Sequence, residues 1–450
     1  MSLVSLRAVC IIVFLSAVLF RLPGRFRAFL ILASGLLFLA DSPRLLVLHA
    51  AHTALTLALA YLMCRFAKAR KPLLLFGILA HFLSLLWLHG KGGFSFAALI
   101  HIGFLLDIGR SGTMGGIMES AAALTFFPCF QEGPIIDAFS VREQFPRSAA
   151  PSWARCSRAV CRIVTGLVKK LVIADRFVSF VDAAYSSPFS YGTGTLWLAM
   201  LAYAVQVYMD FSGCMDIVLG ASALIGIDLP ENFRRPYLAD SFSEYWRRWH
   251  ITMGAWFKRR FFYPLVTSIP MLKLAACLTG RSQSPARTGM AMAVPLLLTW
   301  TLVGLWHGFE PHYVLWGIVN GLLILFERVF CSKGSRLPKA VRIAGTFLGM
   351  SLTRVLFRAG SVKSALQFYS GLFCFAGGPL APGTADPGLV VAVLFAVLFF
   401  TGEIRAERNG PGELSVSEAL ILTTIGIAAV LIFGCYGPGY SPAEFYYNRF

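Results

Sequence analysis

A histidine between an indole and a glycine is the first place in this chain where chemistry is expected. The segment Gly304–Gly308 carries Trp306 and His307, and Glu310 follows three residues after the imidazole. An imidazole with restricted access to water and a carboxylate nearby is suited to act as a general base near neutral pH. A histidine at the end of a helix is also commonly structural, and the residues alone leave both interpretations open.

A second candidate segment surrounds His250. Pro230 and Pro236 indicate a rigid, non-helical lead-in, and Ser243 is the expected N-cap of the helix that follows. Trp246 and His250 are four residues apart, so they are predicted to share one face of that helix.

Four arginines accompany this segment, namely Arg234, Arg235, Arg247 and Arg248, and the last two are predicted to face lipid headgroups or a phosphorylated ligand. The simpler alternative is an interfacial amphipathic helix with an aromatic belt and arginines that reach towards water.

Two carboxylates lie inside a third, otherwise apolar segment. Asp210 and Asp216 bracket Ser212-Gly213 within the apolar stretch 196–227, which is predicted to break there into two segments. The acids could orient a cation or a substrate hydroxyl in a cavity. Equally, they are a pair of buried acids neutralised by nearby arginines, because an unpaired charge at membrane depth costs several kcal/mol.

Composition decides the class of protein that must position these groups. Of the 450 residues, 57% are hydrophobic and only 14% are charged, about half the usual share for a soluble protein. Such a chain could not cover itself with polar groups in water, which excludes an ordinary cytosolic enzyme. The net charge of +18 is attributed to basic cytoplasmic loops and not to nucleic-acid binding.

Apolar stretches near the ~20 residues needed to cross a bilayer recur along the chain. They predict an all-α polytopic membrane protein with about ten to twelve transmembrane helices and further re-entrant or interfacial helices. The predicted stretches are 9–20, 29–40, 45–64, 72–89, 94–108, 196–227, 290–306, 313–330, 341–357, 389–401 and 419–435.

The distribution of basic residues predicts the topology. Basic loops follow the first and third stretches, so these loops are expected inside and the N-terminus outside. The section 142–176 is rich in arginine and lysine and is predicted to be a cytoplasmic, partly amphipathic section on the membrane face.

No metal site is predicted. None of the ten cysteines forms a C-x-x-C pair, and the five histidines of the N-terminal stretches have no acid at helical spacing, so they are interpreted as packing or interfacial residues: His49, His52, His81, His89 and His101. No P-loop, dinucleotide-binding, H-E-x-x-H or G-x-S-x-G motif is present.

Together these segments resemble the membrane-bound O-acyltransferase (MBOAT) family, in its alginate O-acetyltransferase and D-alanyl transfer branch. Each motif is weak singly, but many occur in order. They are Leu105–Arg110, Phe126-Phe127-Pro128 with Gly133-Pro134, Lys169–Asp175, Asp210–Gly213, Glu231–Tyr237, Trp246–His250, Trp306–Gly308, Val355–Ala359 and the aromatic ending Phe445–Phe450.

The resemblance implies roles for the candidate residues. His307 corresponds to the invariant histidine of the family and His250 to a second one, both lining a central funnel that crosses the membrane. His307 would be the base, and His250 would orient a substrate or stabilise the oxyanion. The residues expected to shape the site are Trp246, Trp306, Asp210, Asn232 and Glu310, and the four arginines would contact donor phosphates.

One departure from the family pattern concerns charge. The family often has Trp-Leu-Arg-Asp after the second-histidine helix, whereas this chain has Trp256-Phe257-Lys258-Arg259-Arg260. A base therefore stands where an acid is expected, which bears on contacts with the donor.

The resemblance implies one integral-membrane domain over 1–450. It comprises N-terminal helices (1–140), the amphipathic section (141–180), a catalytic core (195–360) and C-terminal helices (361–450). It would lie in a bacterial inner membrane and pass an acetyl group from a cytoplasmic donor to an extracytoplasmic polysaccharide.

The expected donor is acetyl-CoA as co-substrate, with no bound cofactor, and the expected partner is a secreted or anchored esterase-like acetyltransferase. The alternatives are D-alanyl or other acyl transfer from a carrier protein to teichoic acid or a similar polymer, a proton-coupled transporter or flippase that uses His307 and Asp210, and a membrane scaffold without activity.

Overall fold

The computed structural model describes residues 6–40, 42–88, 93–129, 133–147, 150–279, 290–330, 337–382, 384, 386–410 and 412–436. The aromatic ending Phe445–Phe450 lies outside these residues.

The protein is built of α-helices. Of the described residues, 82% are helical, and these residues contain a single isolated β-bridge and no strand. In chain order the first ten helices are α1 (Leu6–Val18), α2 (Gly24–Leu39), α3 (Pro43–Arg65), α4 (Arg70–Leu88), α5 (Phe94–Ser111), α6 (Ile117–Leu124), α7 (Ala138–Gln144), α8 (Trp153–Leu167), α9 (Asp175–Ser186) and α10 (Thr193–Leu224). The others are α11 (Phe242–Arg248), α12 (Ile251–Phe257), α13 (Tyr263–Val266), α14 (Ile269–Thr279), α15 (Ala293–His307), α16 (Pro311–Phe330), α17 (Lys339–Arg358), α18 (Val362–Phe373), α19 (Pro387–Asn409) and α20 (Val416–Phe433).

Many of these helices can cross a membrane. Among the described residues, eight are long and apolar enough, or up to nine if the bent pair Ile251–Val266 and Ile269–Leu278 is one broken span. Four shorter apolar helices accompany them, so the predicted ten to twelve spans are reached only when some of these are counted. The prediction of an all-α polytopic membrane protein is confirmed.

The chain forms two compact units. Unit 1 comprises Met1–Leu171, Asp210–Glu231 and Glu413–Phe450, and unit 2 comprises Val172–Met209 and Asn232–Gly412. The candidate histidines His250 and His307 both belong to unit 2, whereas Asp210 and Asp216 belong to unit 1.

The predicted break at Ser212-Gly213 is wrong, because α10 is one continuous helix of 32 residues. Gly213 serves close packing in unit 1. A Cβ at Gly213 would lie 2.9 Å from the carbonyl oxygen of Gly166, and one at Gly166 would lie 2.5 Å from that of Gly213. Glycine at both positions therefore lets two backbones approach closely, as small residues do between membrane helices.

The two acids of α10 are neutralised within unit 1. Lys170 Nζ donates to Asp210 Oδ1 at 2.6 Å, and both side chains are buried. Lys169 Nζ lies 2.6 Å from Asp216 Oδ2, and Arg162 Nε lies 3.0 Å from Asp216 Oδ1. Both acids are thus paired with basic side chains, as the second alternative expected, but lysines supply most of the compensating charge and Asp216 is only partly buried.

The basic section 142–176 contains the helix α8, and three of its arginines form ion pairs within unit 1. Arg155 pairs with Asp228 at 2.8 Å, Arg162 also binds Glu231 at 2.6 Å, and Arg158 lies 3.7 Å from Glu413. The position of this section relative to a membrane stays a prediction.

Helices α15 and α16 form a tight hairpin, and His307 is the last residue of α15 before the turn. A Cβ on Gly317 would lie 2.3 Å from the carbonyl oxygen of Trp300, and one on Gly304 would lie 2.5 Å from that of Tyr313. Gly317 and Gly321 have the small-xxx-small spacing that brings helix backbones together. The hairpin therefore depends on the absence of side chains at these glycines.

We expect Gly317→Ala to destabilise the protein by about 1–3 kcal/mol, because the added methyl group overpacks a backbone contact. Thermal unfolding in detergent measures the change. The matched control is Gly345→Ala in α17, where an added Cβ meets nothing within 4 Å. It should leave stability unchanged or raise it by up to about 1 kcal/mol, since alanine is the better helix former. Equal effects of the two substitutions would contradict the role of the close approach.

Candidate functional site

His307 is the last residue of α15 and lies in an aromatic pocket. Only 3% of its surface is exposed. Its ring centroid lies 4.6 Å from that of Trp306, 5.2 Å from that of Trp316 and 5.0 Å from that of Phe357. These rings come from three helices, so packing of α15, α16 and α17 creates the dry environment in which an imidazole can serve as a base.

The residue after His307 must be small. A Cβ on Gly308 would lie 2.3 Å from the Tyr313 ring and 2.6 Å from the Glu310 carboxylate. Glycine at this position therefore permits α15 to end abruptly and the chain to turn into α16, which leaves the imidazole at the helix end.

His250 stands in a helix break, and two predictions about it are corrected. Ser241, not Ser243, caps α11 by accepting from the Glu244 amide at 3.1 Å. The helix ends at Arg248, so Trp246 and His250 do not share a helical face. Instead His250 has left-handed backbone angles (φ 47°) and is the N-cap residue that precedes α12.

A short antiparallel pairing forces this break. Phe233 and Trp249 form the β-bridge, and the Ile251 amide donates to the Asn232 carbonyl at 3.0 Å. The left-handed conformation costs His250 of order 1–3 kcal/mol, so the surrounding bonds must hold it. Backbone strain of this kind is common at active sites, where it fixes the orientation of a functional side chain.

Asn232 fixes the imidazole of His250. Its Oδ1 lies 3.2 Å from His250 Nδ1 and accepts from the amide and the hydroxyl of Thr252 at 3.1 and 2.9 Å. Asn232 and His250 are both fully buried. With Oδ1 as the acceptor, Nδ1 of His250 carries the hydrogen, which leaves Nε2 as its basic nitrogen.

The two histidines meet at one indole. The centroid of the His250 ring lies 6.0 Å from that of Trp306, whose ring also contacts His307 at 4.6 Å. The structure thus brings together His250, Asn232, Trp306 and His307, four of the residues predicted for the site.

Trp246 joins this group through other aromatic rings. Its centroid lies 4.5 Å from that of Trp300 and 5.8 Å from that of Trp316, and its indole nitrogen donates to Asn320 Oδ1 at 3.2 Å. Trp246 and Trp300 also line a cavity of about 340 Å³ in unit 2. Three basic side chains line the same cavity, namely Arg247, Lys258 and Arg328.

The four predicted arginines fall into two kinds. Arg235 and Arg248 both bind Glu407 at 3.0 Å, and Arg248 also binds Glu244 at 2.7 Å. They are therefore held in ion pairs, as a structural role would require. Arg234 is exposed. Arg247 is largely exposed beside Glu244 and lines the cavity, so it is the predicted arginine best placed for a soluble phosphate.

Glu310 and Asp210 complete the set of residues predicted to shape the site. Glu310 is exposed, with its carboxylate against Gly308. Asp210 belongs to unit 1, where it binds Lys170. Their assignment to the site stays a prediction.

A buried arginine next to the site was missed by the sequence analysis. Arg354 in α17 is 5% exposed, and its guanidinium carbon lies 4.7 Å from the Trp249 ring centroid and 5.2 Å from that of Tyr237. It also donates to the Tyr245 hydroxyl. Burial raises the pKa of Tyr237 to about 12, so this phenol remains protonated and donates to the Ala204 carbonyl. Arg354 thus braces the residue that precedes His250.

The fold and this site define a multi-pass helical membrane protein with two buried histidines on one tryptophan. Residues 54–279, about half of the chain, match the model of "MBOAT, membrane-bound O-acyltransferase family". This chain belongs to that family. The match includes His250 and ends before His307.

Three relatives illustrate the activities named within this similarity. A probable alginate O-acetylase of Pseudomonas fluorescens is 31% identical over 329 residues, which cover 71% of this chain and 63% of that protein. A peptidoglycan O-acetyltransferase of Helicobacter pylori is 27% identical over 266 residues, 58% of this chain and 47% of that protein. A teichoic acid D-alanyltransferase of Bacillus subtilis is 25% identical over 218 residues, 46% and 50% of the two chains. The chain therefore spans less than two thirds of the length of these relatives.

We expect Arg354→Met to lower the free energy of unfolding by about 2 kcal/mol or more, because desolvated cation–π contacts of that strength are lost with the bond to Tyr245. Arg342→Met in the same helix is the control. Arg342 pairs with Asp240 at 2.7 Å in a partly exposed position, so its loss should cost at most about 1 kcal/mol. Thermal unfolding in detergent compares the two, and equal shifts would show that Arg354 braces nothing.

Proposed function

We propose that this protein is an O-acyltransferase that passes an acetyl group from a cytoplasmic donor across the membrane for O-acetylation of an extracytoplasmic polysaccharide. The observation that carries the proposal is the pair of buried histidines His250 and His307, whose rings both lie within 6.0 Å of the Trp306 ring, in a chain of the MBOAT family. The names of the relatives from Pseudomonas fluorescens and Helicobacter pylori support an acetyl group and a polysaccharide or peptidoglycan acceptor.

His307 acts as the general base of the proposed reaction. It takes the proton from the acceptor hydroxyl as the hydroxyl oxygen attacks the thioester carbonyl. The new C–O ester bond forms, the C–S bond breaks, and the departing thiolate receives the proton from the imidazolium. The aromatic surroundings exclude water, which otherwise would hydrolyse the activated acetyl group.

His250 is assigned to orient one substrate, because its Nε2 carries the lone pair and can accept a hydrogen bond but cannot donate one to an oxyanion. Its Nδ1 is directed by Asn232 at 3.2 Å, so the position of the imidazole is set before a substrate binds. A polar group that is already in place does not have to reorganise during the reaction, and this increases its contribution to catalysis.

The donor is proposed to be acetyl-CoA, with its phosphates at the basic cavity. Arg247, Lys258 and Arg328 place three cations around an apolar space lined by Trp246 and Trp300. Basic side chains favour phosphates, and the tryptophans favour the less polar parts of a donor.

The setting of the reaction is proposed to be a bacterial inner membrane with the N-terminus outside. This orientation rests on the basic loops after the first and third apolar stretches. The proposed partner is a secreted or anchored esterase-like acetyltransferase that delivers the acetyl group to the polymer.

A second candidate is D-alanyl transfer from a carrier protein to a cell-wall polymer. The similarity to the teichoic acid D-alanyltransferase of Bacillus subtilis favours it. A transporter or flippase that relays protons through His307 and Asp210 is the alternative from another class. Uptake of a substrate that is lost in both His307→Ala and Asp210→Asn, with acetylation of the polymer unchanged, would favour that alternative.

We expect His307→Ala to lower ester-linked acetyl on the extracellular polymer at least about 100-fold, because general-base catalysis contributes factors of 10²–10⁴. His250→Ala should cost a factor of about 10² as well, since misplacement of a substrate by about 1 Å has that effect. The polymer is hydrolysed with base and the released acetate is measured at matched membrane levels of each variant.

His312→Ala is the control for these variants. His312 is also a buried histidine, five residues after His307, and its ring contact is with Tyr313. It should keep wild-type acetylation. If His307→Ala and His250→Ala both express normally and acetylation is unchanged, the histidine-dependent enzyme is refuted.

We expect Lys258→Ala and Arg328→Ala to weaken the binding of acetyl-CoA by about tenfold each, or about 1.4 kcal/mol, because each removes one charge facing the donor phosphates. Isothermal titration of the detergent-solubilised protein with acetyl-CoA measures this. Lys363→Ala, an exposed lysine of α18 that does not line the cavity, should leave the affinity unchanged. Absence of acetyl-CoA binding to the wild-type protein, with acyl transfer from a carrier protein, would favour D-alanylation.

A further inference from the structure

Three histidines of unit 1 form a buried cluster that the proposed reaction does not use. His52 in α3, His81 in α4 and His101 in α5 are 8%, 0% and 1% exposed. The centroid of the His52 ring lies 4.5 Å from that of His81 and 5.5 Å from that of His101, and the His81 and His101 centroids are 5.3 Å apart. Three imidazoles from three helices therefore face one another in the interior.

Hydroxyl groups fix the hydrogens of these rings. The Ser84 hydroxyl donates to the His81 carbonyl at 2.7 Å, so it must accept from Nε2 of His52, 2.6 Å away. The Thr56 hydroxyl donates to the His52 carbonyl at 2.9 Å, so it must accept from Nε2 of His81 at 2.9 Å. A hydroxyl has one hydrogen, and in both rings Nδ1 is therefore left with a bare lone pair.

These lone pairs have no partner in the part of the chain that the structure describes. Nδ1 of His52 and Nδ1 of His81 are buried and form no hydrogen bond there. A buried polar atom without a partner loses its hydration and gains nothing in return. Two such atoms in one cluster are suited to bind a ligand that accepts lone pairs.

The spacing of the rings suits a metal ion. One nitrogen from each of His52, His81 and His101 can be chosen so that all three lie within 4.8 Å of one another. Three atoms at that spacing all lie within about 2.8 Å of a common point, and Zn–N bonds are ~2.0–2.1 Å. A shift of each imidazole by less than about 1 Å towards this point would therefore bring its nitrogen to bonding distance from the ion.

We propose that His52, His81 and His101 bind a first-row transition-metal ion, Zn²⁺ or copper. Neutral imidazole is the ligand that these ions share, and three histidines with one open position are a known zinc arrangement. Hard ions such as Mg²⁺ and Ca²⁺ require oxygen ligands, and the group found among the described residues contains no carboxylate. By the same argument the Thr56 hydroxyl accepts from Nδ1 of His101 at 2.7 Å, so Nε2 is the nitrogen of His101 with a lone pair.

Such an ion would join α3, α4 and α5, and this role is independent of the acyl transfer proposed for unit 2. Metal binding to a site contributed by several elements adds directly to the stability of the folded state. The inference stands or fails without reference to acetylation.

The test measures metal on the full-length protein, purified in detergent with an affinity tag that contains no histidine and without chelators. Mass spectrometry of the elements should find about one zinc or copper ion per chain, as three ligands from one site require. His52→Gln, His81→Gln and His101→Gln should each reduce the metal content at least tenfold. His49→Gln, one turn earlier in α3 and outside the group of three, should retain it.

Cobalt provides a second measurement that needs no variant. After removal of the native ion, Co²⁺ added to the wild-type protein should produce the visible absorption of a tetrahedral site, and Zn²⁺ or Cu⁺ added afterwards should abolish it. The ion that does so at the lower concentration identifies the preferred metal. The proposal is overturned if the wild-type protein, as purified and after addition of Zn²⁺ or Cu⁺, holds no more metal than the three glutamine variants.

Discussion

Every polar side chain inside an apolar helical protein must find its partner within the protein, because lipid offers no hydrogen bond and a buried charge costs several kcal/mol. This requirement organises both units. In unit 1 it pairs Lys170 with Asp210 at 2.6 Å. In unit 2 it encloses Arg354 among Tyr237, Tyr245 and Trp249. These polar partners fix the positions of the helices relative to their neighbours within each unit. Apolar contacts alone would fix them less firmly, because lipid can replace such contacts.

The same requirement explains how a reactive site can be built in such a protein. Backbone contacts at Gly304 and Gly317 bring α15 and α16 together, and the hairpin then carries His307 into a ring of aromatic side chains. Near Trp306, the backbone pairing of Asn232 with Ile251 holds His250 in a left-handed conformation, and the Asn232 side chain fixes its imidazole. Neither imidazole depends on a long flexible loop, which suits a site that must exclude water around an activated acyl group.

Much of this was predictable from local sequence. The apolar stretches predicted the membrane class and most helix positions, because hydropathy is a property of successive residues. The motifs around His250 and His307 predicted two candidate histidines. Prediction was wrong where a local signal had another cause. Ser212-Gly213 was expected to interrupt α10, but the glycine serves contact with Gly166, and the helix continues.

The sequence by itself therefore determined the class of protein, the family resemblance and the residues capable of chemistry. Only the tertiary structure decided which of them meet. It joined His250 to Trp306 across more than fifty residues of sequence, and it gathered His52, His81 and His101 from three helices into one cluster. The physical reason is that hydropathy and helix capping act between neighbours in sequence, whereas contacts between helices depend on which faces pack, and one sequence pattern is compatible with many such packings.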